Sequence, residues 1–267
     1  MQIEIQGRKA DKHNTYVGND GLLYCSTCGE PREFRLNRFG HERVVGCICR
    51  CQAEENKELT KRFDEEALDR RREICFGNNK LKSATFKNDD RSNPKISDAM
   101  RRYADKFDEF KALGKGLLLY GSVGTGKTFY SACIANELIE QGYKVLMTNF
   151  TTIINTLQSR FDGRQEYIDG LNKYDLLILD DLGVERNSEY MLEQVYNIVN
   201  ERYKTGKPMI ITTNLAIEEL KAPKEIEKLR VYDRILERCH PVEIKGGSKR
   251  RKNIIDTYSD MQEALGL

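Results

Sequence analysis

One short segment limits what this chain can be more than any other. Gly121-Ser122-Val123-Gly124-Thr125-Gly126-Lys127-Thr128 satisfies GxxxxGK[ST] at every fixed position. It follows the apolar run Gly116–Tyr120, which reads as a buried strand, and opens a helical pattern from Thr128 to Gln141. Strand, glycine-rich loop and helix form the setting in which this motif binds phosphate. The glycines let backbone N–H groups close around phosphate oxygens, and the helix N-terminus adds the positive end of its dipole. Lys127 then reaches the β- and γ-phosphates of a nucleotide such as ATP, and the Thr128 hydroxyl can ligate Mg²⁺. The plain alternative is an ordinary glycine-rich turn.

The surrounding pattern supports a domain built for that loop. Apolar strands are expected at Lys144–Met147, Leu176–Leu179 and Met209–Thr212. Helices are expected from Ala99 to Leu113, around Ile153–Phe161 and over Tyr190–Lys204. Short apolar strands alternating with helices indicate an α/β domain with a mainly parallel sheet. Two strands end in chemistry. Leu176-Leu177-Ile178-Leu179 delivers Asp180 and Asp181 at a carboxyl end, where open α/β sheets bind ligands. Asp180 is the expected Mg²⁺ residue and Asp181 the candidate for polarising the attacking water. Met209-Ile210-Ile211-Thr212-Thr213 delivers Asn214, a candidate for orienting the water or the γ-phosphate.

In this order, GSVGTGKT, LLILDDLG and IITTN resemble the AAA+ ATPases of the initiator and helicase-loader clade. The tail Val231-Tyr232-Asp233-Arg234-Ile235-Leu236-Glu237-Arg238, followed by Ile244-Lys245-Gly246-Gly247-Ser248-Lys249-Arg250, resembles helicase loaders of the DnaC/DnaI type. Transposition helper ATPases of the IstB type share both features. The resemblance covers roughly residues 85–255. It implies an AAA+ P-loop NTPase domain with Mg²⁺-dependent, slow ATP hydrolysis. It implies Arg234 as an arginine finger reaching a neighbouring subunit's γ-phosphate, with Arg238 as runner-up. It also implies Arg250 as a second sensor of nucleotide in its own subunit. The plainer readings are a surface salt bridge for Arg234 and a solvated basic patch for Arg250. Many AAA+ ATPases carry Glu where this chain has Asp181, and the shorter carboxylate suits slow turnover.

The N-terminal region obeys a different logic. Of eight cysteines, Cys25, Cys28, Cys47, Cys49 and Cys51 fall in one short stretch. The first residues, MQIEIQGRKADKH, have no apolar core of a secretory signal, and no apolar run is long enough to span a membrane. A cytoplasmic location follows, where thiols stay reduced. Cys25-x-x-Cys28 and the later Cys47-x-Cys49-x-Cys51 have the two-knuckle spacing of a structural Zn²⁺ site. Four of the five would ligate; sequence does not choose the second pair, and His41 is an outside alternative. An iron–sulfur cluster or unligated thiols are the competing readings. Arg32, Arg35, Arg38, Arg43 and Arg50, with Phe34 and Phe39 between them, suit a partner protein, nucleic acid or a solvated face. Residues 52–75 are mostly charged without Gly or Pro, and read as a long solvated helix. The expected division is a zinc-binding, partner-interaction module at 1–52, a charged helical linker at 53–80 and the ATPase domain at 81–267.

The net charge of +2 excludes DNA binding by bulk charge, so any basic site must be local. The leading reading is an ATP-driven loader that places a replicative hexameric helicase on single-stranded DNA and self-associates to complete its active sites. A transposition helper regulating a transposase, and a nucleotide-gated adaptor with negligible turnover, are the alternatives.

Overall fold

The computed structural model describes residues 14–183 and 189–248, together with residues 258, 261, 262, 264 and 265. The chain forms two compact units, Met1–Ala67 and Leu68–Leu267.

The first unit holds two antiparallel ribbons. β1 (Thr15–Val17) pairs with β2 (Leu23–Cys25), and β3 (Glu33–Arg38) pairs with β4 (His41–Gly46). Arg38 faces His41, so Phe39-Gly40 form a two-residue turn, and both have positive φ (56° and 77°). Two positive φ values give the turn whose twist matches that of the strands. Leu22, Cys25 and Cys49 are the buried apolar residues among the described part of this unit. A core that small needs a staple. The helix α1 (Arg50–Phe76) begins between Cys49 and Cys51, and matches the charged helix expected over 52–75.

In the second unit, α2 (Pro94–Asp105) is capped by the Asn93 side chain, which accepts from the Ile96 N–H. A short α3 (Phe107–Leu113) ends at Gly114 with φ 63°. One helix from Ala99 to Leu113 was expected; two are found, starting earlier and broken at Lys106 (φ −106°, ψ 24°). The break buries Phe107 and lets Phe110 stack on Tyr103 with centroids 4.9 Å apart.

Then β5 (Gly116–Tyr120), α4 (Lys127–Glu140), β6 (Val145–Asn149), α5 (Phe150–Ser159), α6 (Arg164–Leu171) and β7 (Leu176–Leu182) follow. The series ends with α7 (Glu189–Lys204), β8 (Met209–Thr213), α8 (Ile217–Lys221), α9 (Ile226–Arg238) and β9 (Cys239–Glu243). The strands form one parallel sheet in the order β6-β7-β8-β5-β9. Alternation decides which face each side chain serves. Leu117 and Leu119 join the cluster built on α2 and α4, whereas Leu118 joins the one built on α5, α7 and α9. Both faces are covered, as parallel sheets require. A Cβ on Gly116 would lie 1.7 Å from the Met209 carbonyl oxygen, so only glycine lets β5 approach β8 there. β9 has no strand signal in the sequence; it contains Pro241, which offers no N–H and suits an edge.

Arg202 is fully buried near the end of α7. Its Nη1 donates to Tyr174 O (3.0 Å), while Nη2 donates to Asp175 O (3.0 Å) and Pro208 O (2.6 Å). Burial pushes its pKa down to about 10. These bonds tie α7 to the segments that enter β7 and β8. Arg202→Met should strand three carbonyls and destabilise the domain by about 3 kcal/mol or more. A urea midpoint shifted downward with an unchanged m-value is the expected result.

Candidate functional site

The chain leaves β5 for β6, crossing two strands, and returns through β7 and β8. That makes the carboxyl ends of β5 and β8 a switch point, where such sheets bind ligands. The glycine-rich loop lies there. Gly126 caps α4 with φ 104°. A Cβ on Gly124 would come within 2.2 Å of Ser248 Oγ, because the chain after β9 passes against the loop. Thr125 Oγ1 donates to Ser122 O (3.0 Å), and Val123 is exposed at the loop tip. Lys127 is only 5% exposed; its Nζ donates to Gly121 O (2.8 Å) and Ser122 O (2.7 Å). The ammonium is thereby held inside the curve of the loop.

Thr128 at the start of α4 meets Asp180 at the end of β7. Its hydroxyl donates to the carboxylate, 3.1 Å from each oxygen. Thr212 Oγ1 donates to Asp180 Oδ1 at 2.6 Å and accepts from the Asp181 N–H at 2.9 Å. Partial burial, with the neighbouring Asp181 charge, raises the Asp180 pKa from that of a free aspartate, against the lowering effect of its hydrogen bonds and of Lys127. A half-buried carboxylate beside a hydroxyl is an oxygen set suited to Mg²⁺, whose charge would offset the partial burial. Sequence reasoning missed Thr212. Its only signal in the sequence is a threonine that, with Thr213, ends a strand begun by three apolar residues.

Asp181 is set apart by a bulge. Leu179 pairs with Ile211 and Leu182 with Thr213, so Asp180 and Asp181 together oppose Thr212 alone. Asp181 takes φ 59°, and its side chain is exposed. Bulges re-aim side chains and cluster beside active sites, and Asp tolerates this conformation better than most residues. The strand therefore runs to Leu182, three residues beyond the expected Leu179. Asn214 is exposed just past β8.

Arg234 and Arg238 lie on α9. The Arg234 guanidinium stacks 4.8 Å from the ring centre of Tyr196 on α7. Arg238 stacks 4.6 Å from that of Tyr203, with its Nε buried and without a hydrogen-bond partner. Arg238 Nη1 would lie 3.1 Å from a Cβ on Gly114, just before β5 begins. The phosphate loop follows the other end of β5, about 16 Å away along the strand. Arg250 lies outside the described residues.

In the first unit, Cys25, Cys28, Cys49 and Cys51 bring their sulfurs within 4.8 Å of one another. Cys51 Sγ is 3.4 Å from Cys25, 3.3 Å from Cys49 and 3.5 Å from Cys28. Zn–S bonds of about 2.3 Å put tetrahedral sulfurs about 3.8 Å apart, so the four fit zinc. Cys47 is outside the group; its thiol donates to Pro31 O at 3.2 Å. His41 is outside it too, at the far end of the β3–β4 ribbon. Backbone N–H groups of Cys28 and Thr27 bring the Cys25 thiol down to about 6. Cys51, facing Cys49, Cys25 and Cys28, is pushed up to about 12. Sulfurs this close can all ionise only around a cation. Of the neighbouring arginines, Arg35 pairs with Glu42 and Arg50 with Glu30, while Arg38 stacks on Phe39, which is 90% exposed.

A further exposed aromatic went unread in the sequence. Phe161, between α5 and α6, is fully exposed. Arg160 stacks beside it on Tyr167 at 4.9 Å, and Arg164 Nε donates to Arg160 O.

The family described as IstB-like ATP binding protein matches residues 81–257. The replicative helicase loader DnaI of Bacillus subtilis (strain 168) is 28% identical over 184 residues, which cover 64% of this chain and 59% of that protein. The phage-like element PBSX protein XkdC of the same organism is 27% identical over 239 residues, 85% of this chain and 86% of that protein. A crystal structure of DnaI superposes with a TM-score of 0.56 at 25% identity, covering 67% of this chain and 99% of that one. The α/β domain thus has the AAA+ P-loop fold that the sequence resemblance implied.

Two outcomes are expected here. Metal analysis should find one zinc per chain, kept in Cys47→Ser and lost in Cys51→Ser. Asp180→Asn should lose Mg²⁺-dependent nucleotide binding without losing stability. The raised pKa means that the folded state favours the protonated carboxyl, so stability falls as pH rises through that value. Asn removes the penalty at neutral pH, and thermal unfolding should show an equal or higher midpoint.

Proposed function

The chain belongs to the IstB-like ATP binding protein family, and from that premise we propose that it is an ATP-dependent loader that delivers a replicative ring helicase onto single-stranded DNA. The observation that carries the ATPase part is the contact chain Thr128–Asp180–Thr212–Asp181 beside a buried Lys127. In this reading the loop N–H groups and Lys127 hold the β- and γ-phosphates of ATP. Thr128 and Asp180 hold Mg²⁺, which neutralises charge on the phosphates. Asp181, turned out by the bulge, orients the attacking water with Asn214. Arg250 senses nucleotide in its own chain.

Arg234 serves a neighbouring copy. Arg238, one helical turn along α9, lies near the amino end of β5, whereas the phosphate loop follows the carboxyl end. The resemblance to helicase loaders of the DnaC/DnaI type, which implies that Arg234 acts on a neighbouring copy, supports an active site completed by two chains and hence a self-oligomer. Arg238, tucked against Gly114, is the less available of the two.

The loader assignment rests on likeness to the protein named as replicative helicase loader DnaI and on the cysteine module. We assign residues 1–52 to zinc binding and helicase contact, 53–80 to a linker and 81–267 to the ATPase. Exposed Phe34 and Phe39 give the module an apolar contact surface. Phe161, flanked by Arg160 and Arg164, offers a stacking platform with cations for single-stranded DNA. The second reading, a transposition helper, is favoured by the family's name; co-purification with a transposase rather than a replicative helicase would select it.

The decisive measurement is ATPase activity with single-stranded DNA and the helicase present. Lys127→Ala should abolish nucleotide binding. Arg234→Ala should bind ATP normally but hydrolyse it on the order of a thousandfold more slowly. Mixing the two should restore activity, because one pair can form one intact composite site. Full activity of Arg234→Ala alone would sink the two-chain site.

A further inference from the structure

Arg234 is held by aromatic rings rather than by a carboxylate. Its guanidinium lies 4.8 Å from the ring centre of Tyr196 and 5.8 Å from that of Tyr203. Both tyrosines belong to α7, seven residues apart, so they share the face that packs on α9. Among the described residues, the one polar bond of the Arg234 side chain runs from Nη1 to Arg230 O at 3.0 Å, within its own helix. Tyr203 is itself fixed, since its hydroxyl donates to the Glu237 carboxylate at 2.9 and 3.0 Å and its ring also carries Arg238 at 4.6 Å.

We propose that Tyr196, backed by Tyr203, is a positioning residue that holds the Arg234 guanidinium for the nucleotide of a neighbouring copy; this rests on the two-chain site proposed above. Stacking engages the flat face of a guanidinium and leaves its N–H edge, the part that grips phosphate oxygens. A carboxylate partner would do the reverse, occupying that edge and competing with phosphate. A long arginine chain is otherwise mobile, and a ring under it restricts the guanidinium to a plane without neutralising it. Tyr203 divides the labour: it keeps Arg238 turned inward, so that Arg234 alone is presented.

The test puts the tyrosine change in the chain that donates the arginine. Lys127→Ala chains carrying Tyr196→Leu, Tyr196→Met or Tyr196→Phe are mixed with Arg234→Ala chains, and ATPase activity is measured. Relative to Lys127→Ala alone, the Leu and Met variants should lower rescue by about 3- to 30-fold, the change matching loss of one partly exposed cation–π contact. The Phe variant should rescue fully, because the ring and not the hydroxyl acts. The Met variant fills the space of the ring's core, so it repeats the test should Leu leave the chain poorly folded. In an otherwise unaltered chain, Tyr196→Met should lower kcat while ATP affinity stays unchanged, which a loss of packing alone would not produce. Full rescue by the Met chain, or failure of the Phe chain, would overturn the assignment. Full activity of Arg234→Ala by itself would remove the two-chain site and this proposal with it, whereas an inactive Arg234→Ala with full rescue by Tyr196→Met would remove this proposal alone.

Discussion

A half-buried carboxylate at the end of β7 organises the ATPase domain. Asp180 is acceptable there because two hydroxyls reach it, Thr128 from the start of α4 and Thr212 from β8. Those bonds need α4 to begin beside β7, which requires β5 to lie next to β8 in a sheet closed on both faces by helices. They also need β8 to present Thr212 inward at the level where β7 bulges. At the opposite end of β5, Gly116 lets that strand lie against β8, since a Cβ there would meet the Met209 carbonyl. The arrangement is destabilising in isolation, and that is its use: a site that disfavours its own charge has a standing demand for a cation.

Much of this was legible because the chemistry sits on strongly patterned elements. The GxxxxGKT loop, the all-apolar stem before Asp180 and the apolar stem before Asn214 each announce a buried parallel strand with polar residues at one end. What escaped the sequence has a physical reason in each case. Asp180 and Asp181 carry different expected roles in the sequence, but nothing there marks the bulge against Thr212 that leaves one carboxylate half-buried and the other exposed. Thr212 itself looks like an ordinary strand residue. β9 is brief and carries His240 and Pro241, so neither period nor composition marks it, and its partner β5 is over a hundred residues earlier. The break at Lys106 breaks no local rule either, as it answers to the packing of Phe107 and Phe110.

The cysteine module shows the opposite balance. The spacing predicted a four-sulfur site but could not choose among five thiols, because Cys47 and Cys49 are both two residues from another cysteine. The choice follows from the antiparallel ribbon: Cys47 still belongs to the exit of β4 and turns to Pro31, whereas Cys49 and Cys51 fall where α1 begins. Of the three buried apolar side chains described in this unit two are Cys25 and Cys49, so the sulfur cluster stands where a hydrophobic core stands elsewhere.

The edge strand β9 has a bearing on assembly. An uncovered parallel sheet is a template for pairing with another chain, and proteins that crowd together on one track run the risk of sheet-to-sheet aggregation. β9 is short, and Pro241 interrupts its row of donors. At this edge, copies of this chain are thereby steered away from joining backbone to backbone. An association made on the β9 side is read out through side chains, and side-chain contacts can be made and released, whereas a continuous intermolecular sheet would set like a fibre.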